Sequence, residues 1–305
     1  MRPPNLLSLM LDGLLYLVVR VLVTLLQALP LTAVARFGRA GGALAWWLDA
    51  RHRRVALANL ERCFGREKSA EEIHALAREN FRRLGENYAS AIKTATMTAE
   101  EVDKVLEVTG AEKLRPAAPG EPVPTRITAI GHFGNFELYA RAKEFAPEGG
   151  ARGTTYRGLR QLRLDAFLGS LRARSGCQFF ERRTGGNALK AALNKGGLSL
   201  GLLADQHAGD NGMRISFFGQ ECLASAAPAV FALRYRAYLH TAVCYRVALG
   251  RWRIEVGEEI PTRVEGKARP IEEITRDINA ALEIAVRRDP TNWFWVHNRW
   301  RLPKN

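Results

Sequence analysis

Residues 125–138 read TRITAIGHFGNFEL: an apolar, β-branched run stops at Gly-His, and an acidic residue follows that histidine by five positions. Arg126 to Ile130 alternates like a short strand, and Gly131 and Gly134 bracket the tight turn after it. Asn135 can then cap a new helix with Glu137 in its first turn, where exposed N–H groups and the helix dipole favour a carboxylate. On one continuous helix, residues five apart point about 140° away from each other. His132 therefore belongs to the loop before the helix, with its ring turned back toward Glu137. One imidazole nitrogen would hold the carboxylate while the other faces substrate, the arrangement by which a general base takes a proton from a hydroxyl. The pattern points to acyl or phosphoryl transfer to an alcohol, with His132 and Glu137 as the catalytic pair. H-x4-E also describes a strand-end histidine hydrogen-bonded only for structure, so its surroundings have to decide.

Those surroundings are α/β. From about Val105, short apolar strands alternate with helices, the signature of a largely parallel sheet flanked by helices. The strands expected are Arg126–Ile130, Gly153–Tyr156, Leu198–Ala204, Ile215–Phe218, Thr241–Leu249 and Trp252–Val256. Helices are expected over Glu137–Phe145, Leu159–Ser175, Ala188–Asn194, Pro228–Tyr238 and Ile271–Arg288. Before them lies a helical preface: Leu31–Asp49, Arg51–Phe64, and an amphipathic helix over Ala70–Thr94 with Ile73, Leu76, Phe81 and Leu84 on one side. The organisation expected is an anchor over residues 1–30 and one domain over 31–305, divided into preface (31–104) and α/β core (105–305).

Leu6 to Leu29 is the one stretch of membrane character, about 36 Å long as a helix at 1.5 Å per residue. No small-residue cleavage site follows, so it reads as retained. Asp12 and Arg20 weigh against a span, since each charge near mid-bilayer costs on the order of 3 kcal/mol. They share one face with Ser8, Gly13, Thr24 and Gln27, opposite a face of Leu, Val, Met and Ala. The helix either spans the bilayer or lies in the interface and docks its polar stripe on the protein. Arg36, Arg39, Arg51, Arg53 and Arg54 follow it, which puts the body of the protein on the cytoplasmic side of an inner membrane.

With 45 Lys+Arg against 31 Asp+Glu, the chain carries a formal charge of +14 and expects anionic partners: nucleic acid, acidic headgroups or an acidic carrier protein. Eight arginines lie between Arg152 and Arg183 against only Asp165 and Glu181. Arg160, Arg172 and Arg174 read as a solvated helix face. Arg157 follows a short strand and so stands near the sheet's carboxyl edge, where ligands bind in open α/β sheets. The same rule picks out Asp205-Gln206, which end the run LSLGLLA and can meet the loop bearing His132. At the C-terminus, WFWVHNRWR (293–301) interleaves aromatics and cations, and aromatic packing onto the core explains it better than interfacial anchoring. Cys63, Cys177, Cys222 and Cys244 form no C-x-x-C pair and read as reduced thiols, and no residue cluster has zinc-ligand spacing. No metal and no cofactor is expected. No P-loop, G-x-G-x-x-G or G-x-S-x-G occurs, and the absence of a nucleophile elbow favours direct transfer over an acyl-enzyme.

Taken together and in order, these segments resemble the late acyltransferases of lipid A biosynthesis, the lauroyl and myristoyl transferases. The matching pieces are the N-terminal hydrophobic helix, RHRRVALANLERCFG (51–65), GHFGNFE (131–137), YRGLRQLRLDAFLGSLRARSG (156–176), LLADQ (202–206), FFG (217–219) and WFWVHNRW (293–300). The resemblance implies a glycerol-phosphate-acyltransferase-like fold, an acyl donor carried as a thioester on acyl carrier protein, and the hydroxyl of a phosphorylated glucosamine lipid as acceptor. It implies work at the cytoplasmic face of the inner membrane. On that reading His132 deprotonates the acceptor, Glu137 orients the imidazole, and main-chain N–H groups near Gly134 and Asn135 hold the oxyanion. Arg157, Arg182 and Arg183 hold phosphate, Asp205 fixes an arginine, and Gln206 borders the substrate.

Two departures bear on the acceptor. His207 stands where a second acidic residue is common in the family, and Ala227 where a glycine is common. A lysophospholipid, an ornithine lipid or another glycolipid is the alternative acceptor. The reading from a different class is a membrane-tethered nucleic-acid binder, suggested by the charge alone; on the acyltransferase reading no nucleic acid is expected. A non-catalytic membrane scaffold is the third reading.

Overall fold

The computed structural model describes residues 6–114, 121–146 and 149–302, with side chains from residue 12 onward. Four helices lead the chain: α1 (Leu6–Ala28), α2 (Leu31–Leu48), α3 (Ala50–Phe64) and α4 (Ala70–Thr94). A capping box starts α4, with Ser69 accepting from the Glu72 N–H and the Glu72 carboxylate accepting from that of Ser69. The axes of α2 and α4 approach to backbone contact. A Cβ added to Gly42 would lie 2.1 Å from the Phe81 carbonyl oxygen, and one added to Gly85 the same distance from that of Gly38. Glu86, fully buried on α4, accepts from Arg39 of α2 at 3.3 Å, from Arg246 at 2.8 Å and from the Gly250 N–H at 3.0 Å. A lone buried carboxylate would be costly, and this one is satisfied from both sides, so it ties the preface to the core.

A short helix, α5 (Ala99–Asp103), leads into the α/β core. The main sheet holds β1 (Leu106–Thr109), β2 (Arg126–Ile130), β3 (Ala151–Tyr156), β4 (Gln178–Glu181), β5 (Leu198–Leu203), β8 (Tyr238–Ala248) and β9 (Arg251–Glu259), in the order β1-β9-β8-β2-β5-β3-β4. Every neighbouring pair is parallel except the β8–β9 hairpin. The helices α6 (Leu162–Ala173), α7 (Gly186–Lys195), α8 (Ala227–Arg234) and α9 (Ile271–Arg288) complete the core. All five residues of β2 are buried. Ile127 and Ala129 join one apolar cluster and Ile130 joins another across the sheet, the two-sided burial that parallel strands require.

The sequence reading departs from this fold in several places, and it names neither β1 nor β4 as a strand. The Ile215–Phe218 run becomes β6 (Met213–Phe217) but pairs only with β7 (Gln220–Ala224), in a hairpin apart from the main sheet. Its two-residue turn, Phe218-Gly219, has positive φ at both positions, which closes the strands on each other. A second small hairpin, β10 (Arg263–Val264) with β11 (Lys267–Ala268), follows β9. The expected helix over Glu137–Phe145 is two 3-10 turns, Phe136–Ala140 and Lys143–Phe145. Tertiary contacts override the helical pattern there: Leu138 and Tyr139 are buried, and the Tyr139 hydroxyl donates to the Ala242 carbonyl at 2.7 Å. Asn135 makes no cap and turns its amide to Thr94 instead. The helix expected over Pro228–Tyr238 ends at Arg234, and Tyr238 already belongs to β8.

The expected N-terminal membrane span is not found: among the described residues no helix is long and apolar enough to cross a membrane. The described part of α1 has a mixed surface. Arg20 bonds the Tyr16 hydroxyl at 3.1 Å and lies over the Phe167 ring of α6, while the Gln27 carbonyl accepts from Lys93 of α4 at 2.6 Å. The other side of α1 carries Leu14, Leu17, Val18, Val21, Leu22 and Leu25, each more than half exposed.

Candidate active site

Register brings the site together. In the β2–β5 pairing Ile130 stands beside Leu203, so the residues two steps beyond each strand, His132 and Asp205, emerge at the same level on adjacent parallel strands. The Ala204 N–H donates to the Ile130 carbonyl at 2.9 Å and carries the pairing to the sheet's carboxyl edge. Asp205 is fully buried. Its Oδ1 lies 2.7 Å from His132 Nδ1, and its Oδ2 accepts from the His132 N–H and from Trp293 Nε1, both at 2.7 Å. Burial alone would raise this carboxyl's pKa. The His132 charge and the hydrogen bonds from His132 and Trp293 outweigh it and hold the carboxyl below its ordinary range.

The turn is built for this grip. Gly134 has φ +52°, and a Cβ there would lie 2.4 Å from the Cys244 carbonyl oxygen. Phe133 is fully buried and bridges to Trp293 in the C-terminal segment, and the Gly134 N–H donates to the Asn292 carbonyl at 3.2 Å. Phe136 packs edge-on against the imidazole at 5.0 Å between centroids, and Phe294 packs against it at a tilt, at 5.7 Å. With Nδ1 committed to Asp205, Nε2 is left for a ligand.

Glu137 does not hold His132. Its carboxylate pairs with Arg172 of α6 at 2.8 Å, because the 3-10 turn aims it across at that helix. Both members are about a third exposed. Asp205, for its part, fixes the histidine and a tryptophan instead of an arginine. Of the main-chain donors expected for an oxyanion, the Gly134 N–H is spent on Asn292, whereas the Asn135 main-chain N–H has no such partner among the described residues; only its side-chain amide turns to Thr94.

Two cavities meet at this histidine. The larger, about 1190 Å³, is lined by Arg157, Arg182, Arg183 and Gln206 together with His132 and Glu137. Arg157, Arg182 and Arg183 make no side-chain ion pair among the described residues, so their charge is available to an anion. The smaller, about 330 Å³, runs between α4 and α6 and is lined by Leu84, Ala91, Ile92, Leu168, Leu171 and Phe294, with His132, Gly134, Asn135 and Glu137 at its mouth. Arg172 borders both cavities, although the sequence reading assigns it to a solvated face. Trp293, Phe294 and His297 also belong to the site. The only sequence signal for them is the aromatic and cationic segment near the C-terminus, which packs onto the core with Trp293, Trp295 and Trp300 buried.

An α/β sheet with a carboxylate-held histidine at its carboxyl edge, beside a basic cavity and an apolar one, is an arrangement suited to group transfer. The match to known families narrows the class. Residues 5–302, nearly the whole chain, match the family described as bacterial lipid A biosynthesis acyltransferase, and the chain belongs to that family. A search of curated proteins finds no match.

Proposed function

We propose that this protein moves a fatty acyl chain from an acyl carrier protein thioester to a hydroxyl of a phosphorylated lipid A precursor, by direct attack. The observation that carries the reading is the position of His132 where an apolar cavity and an arginine-lined cavity join. The apolar cavity suits the acyl chain. The basic cavity suits the phosphates of the acceptor, with the planar forks of Arg157, Arg182 and Arg183 as phosphate partners.

His132 Nε2 takes the hydroxyl proton as the alkoxide oxygen adds to the thioester carbon, and the carbonyl electron pair moves onto its oxygen. Collapse returns that pair, breaks the C–S bond and passes the proton from the imidazolium to the departing thiolate. Asp205, held ionised, fixes the imidazole with its proton on Nδ1 and stabilises the imidazolium. Glu137 and Arg172 act together as a wall between the cavities, orienting the chain that crosses from one to the other.

The substrate surface is an anionic membrane leaflet. Phe37, Leu44, Trp47 and Leu48 of α2 are exposed, as is the leucine face of α1, and Arg36, Arg51 and Arg54 are exposed as well. This combination favours binding along a lipid surface. A different lipid acceptor is the second reading, favoured by His207 and Ala227, which both line the basic cavity. Transfer assays on full-length protein with a phosphorylated glucosamine lipid, a lysophospholipid and an ornithine lipid separate the two. A lipid A precursor is expected to be the preferred acceptor, and preference for either of the others overturns that assignment.

A further inference from the structure

This inference rests on the acyl-transfer reading. When the alkoxide adds to the thioester carbon, negative charge appears on the carbonyl oxygen, and a donor has to hold it. The catalytic turn cannot supply one from residues 132–134. Their main-chain N–H groups already donate to Asp205 at 2.7 Å, to the Gly131 carbonyl at 2.8 Å and to the Asn292 carbonyl at 3.2 Å. The Asn135 side-chain amide is turned to Thr94 at 3.2 Å, and Arg172 is held by Glu137 at 2.8 Å.

His297 stands in the wall of the same cavity as His132. It belongs to the C-terminal segment whose Trp293 donates to Asp205 and whose Phe294 packs on the His132 ring. Its Nδ1 is sealed from solvent and has no hydrogen-bond partner among the described residues. A sealed N–H without an acceptor bears its full desolvation cost, so the proton is better placed on Nε2, the nitrogen left to the cavity. Burial pushes the ring's pKa down to about 4, and the nearby charges of His132 and Arg299 reinforce that against the opposing pull of Asp205. The imidazole is therefore neutral near pH 7, and a neutral imidazole can polarise a carbonyl without giving up its proton. His207 does not offer the same service: its Nδ1 accepts from the Gly209 N–H at 3.0 Å and its Nε2 is sealed.

We propose that His297 donates from Nε2 to the carbonyl oxygen of the acyl thioester and so takes part in holding the oxyanion. It keeps its own proton throughout, and the proton that travels from acceptor hydroxyl to thiolate passes only through His132.

The test compares full-length wild type, His297→Ala, His297→Gln and Gln206→Leu in transfer from an acyl carrier protein thioester, with thermal melts to establish folding. In His297→Ala, kcat falls about 10²–10³-fold while KM for the thioester moves less than about threefold, as expected for a contact made only in the transition state. His297→Gln, whose amide N–H can reach near the same point, recovers to within about tenfold of wild type. Histidine ¹⁵N spectra of the wild type show His297 neutral and protonated on Nε2 at pH 6, a readout that needs neither activity nor a variant. The assignment is overturned by a folded His297→Ala that transfers within about threefold of wild type, by a loss confined to KM, or by a ring charged or protonated on Nδ1 at pH 6. A large loss in Gln206→Leu with none in His297→Ala moves the role to Gln206. A wild-type protein that transfers nothing overturns the acyl-transfer reading itself; a transferring enzyme indifferent to His297 overturns this assignment alone.

Discussion

Asp205 grips His132 at two points, ring and main chain, each at 2.7 Å, from a position 73 residues away in the sequence. One carboxylate thus sets the ring's tautomer and pins the turn that carries it. In Asp205→Asn, hydrogen-bonded geometry persists but the preference for an Nδ1 proton is lost. Transfer is expected to fall about 10²–10⁴-fold with modest change in KM, measured as steady-state kcat and KM on protein shown to be folded.

Glu137 and Arg172 form the second polar contact at the cavity mouth. Because both are partly exposed, either alanine variant is expected to lower stability by less than about 1 kcal/mol, read as a small change in the urea midpoint. Activity is a separate matter. Glu137→Ala and Arg172→Ala are each expected to reduce transfer, and the double variant to be scarcely worse than either single one. A double-mutant cycle on kcat/KM checks this, and additive losses contradict a joint role.

Gly134 is required by both conformation and space. Gly134→Ala places a Cβ at positive φ and against the Cys244 carbonyl, so it is expected to cost more than about 1–3 kcal/mol and to remove activity by displacing His132. Chemical unfolding together with the transfer assay measures both effects.

The pH dependence of stability follows from opposite kinds of group that share one sign. The Asp205 carboxyl is held below its unfolded value, so its contribution is present above the unfolded pKa of about 3.9 and is lost as pH falls through the folded pKa. His297 is pushed down to about 4 by burial, so between its ordinary value near 6.5 and 4 the unfolded chain takes up a proton that the folded chain refuses. His240, also lowered by burial, acts in the same direction. Stability is therefore expected to decline as pH falls from about 6.5 toward 4, and the decline is expected to be shallower in His297→Gln. Urea midpoints across that range provide the check.

How much of this was legible in the chain depended on distance. Strand β2 and its turn are local: alternation and two glycines define them, and the same holds for α2, α3, α4 and α9. The partner of His132 is not local, since it depends on Ile130 standing in register with Leu203. Asp205 is recognisable as a strand-end residue near the histidine loop, but the bond itself is not. Glu137 reads as the partner only if the chain after Asn135 winds as a regular helix; the 3-10 turn sends its carboxylate to Arg172 instead. Arg172 has no signal of its own inside a run of arginines. The strands β1 and β4 are four residues each at the two edges of the sheet, too short and too exposed to alternate visibly.

The apolar cavity makes a further claim about chain length. Ala91 lines it from α4, and Ala91→Phe is expected to fill part of its roughly 330 Å³ and shift preference toward shorter acyl donors. Competition between thioesters of different length, read by mass spectrometry of the product lipid, measures the shift.

The central claim is that His132 is the base for acyl transfer to a lipid hydroxyl. The most direct test is transfer from acyl carrier protein thioesters to a lipid A precursor in detergent, with wild type and a folded His132→Ala side by side. The account predicts transfer by the wild type and a loss of at least about 10²-fold in the variant. Transfer by His132→Ala at a rate close to wild type would contradict it.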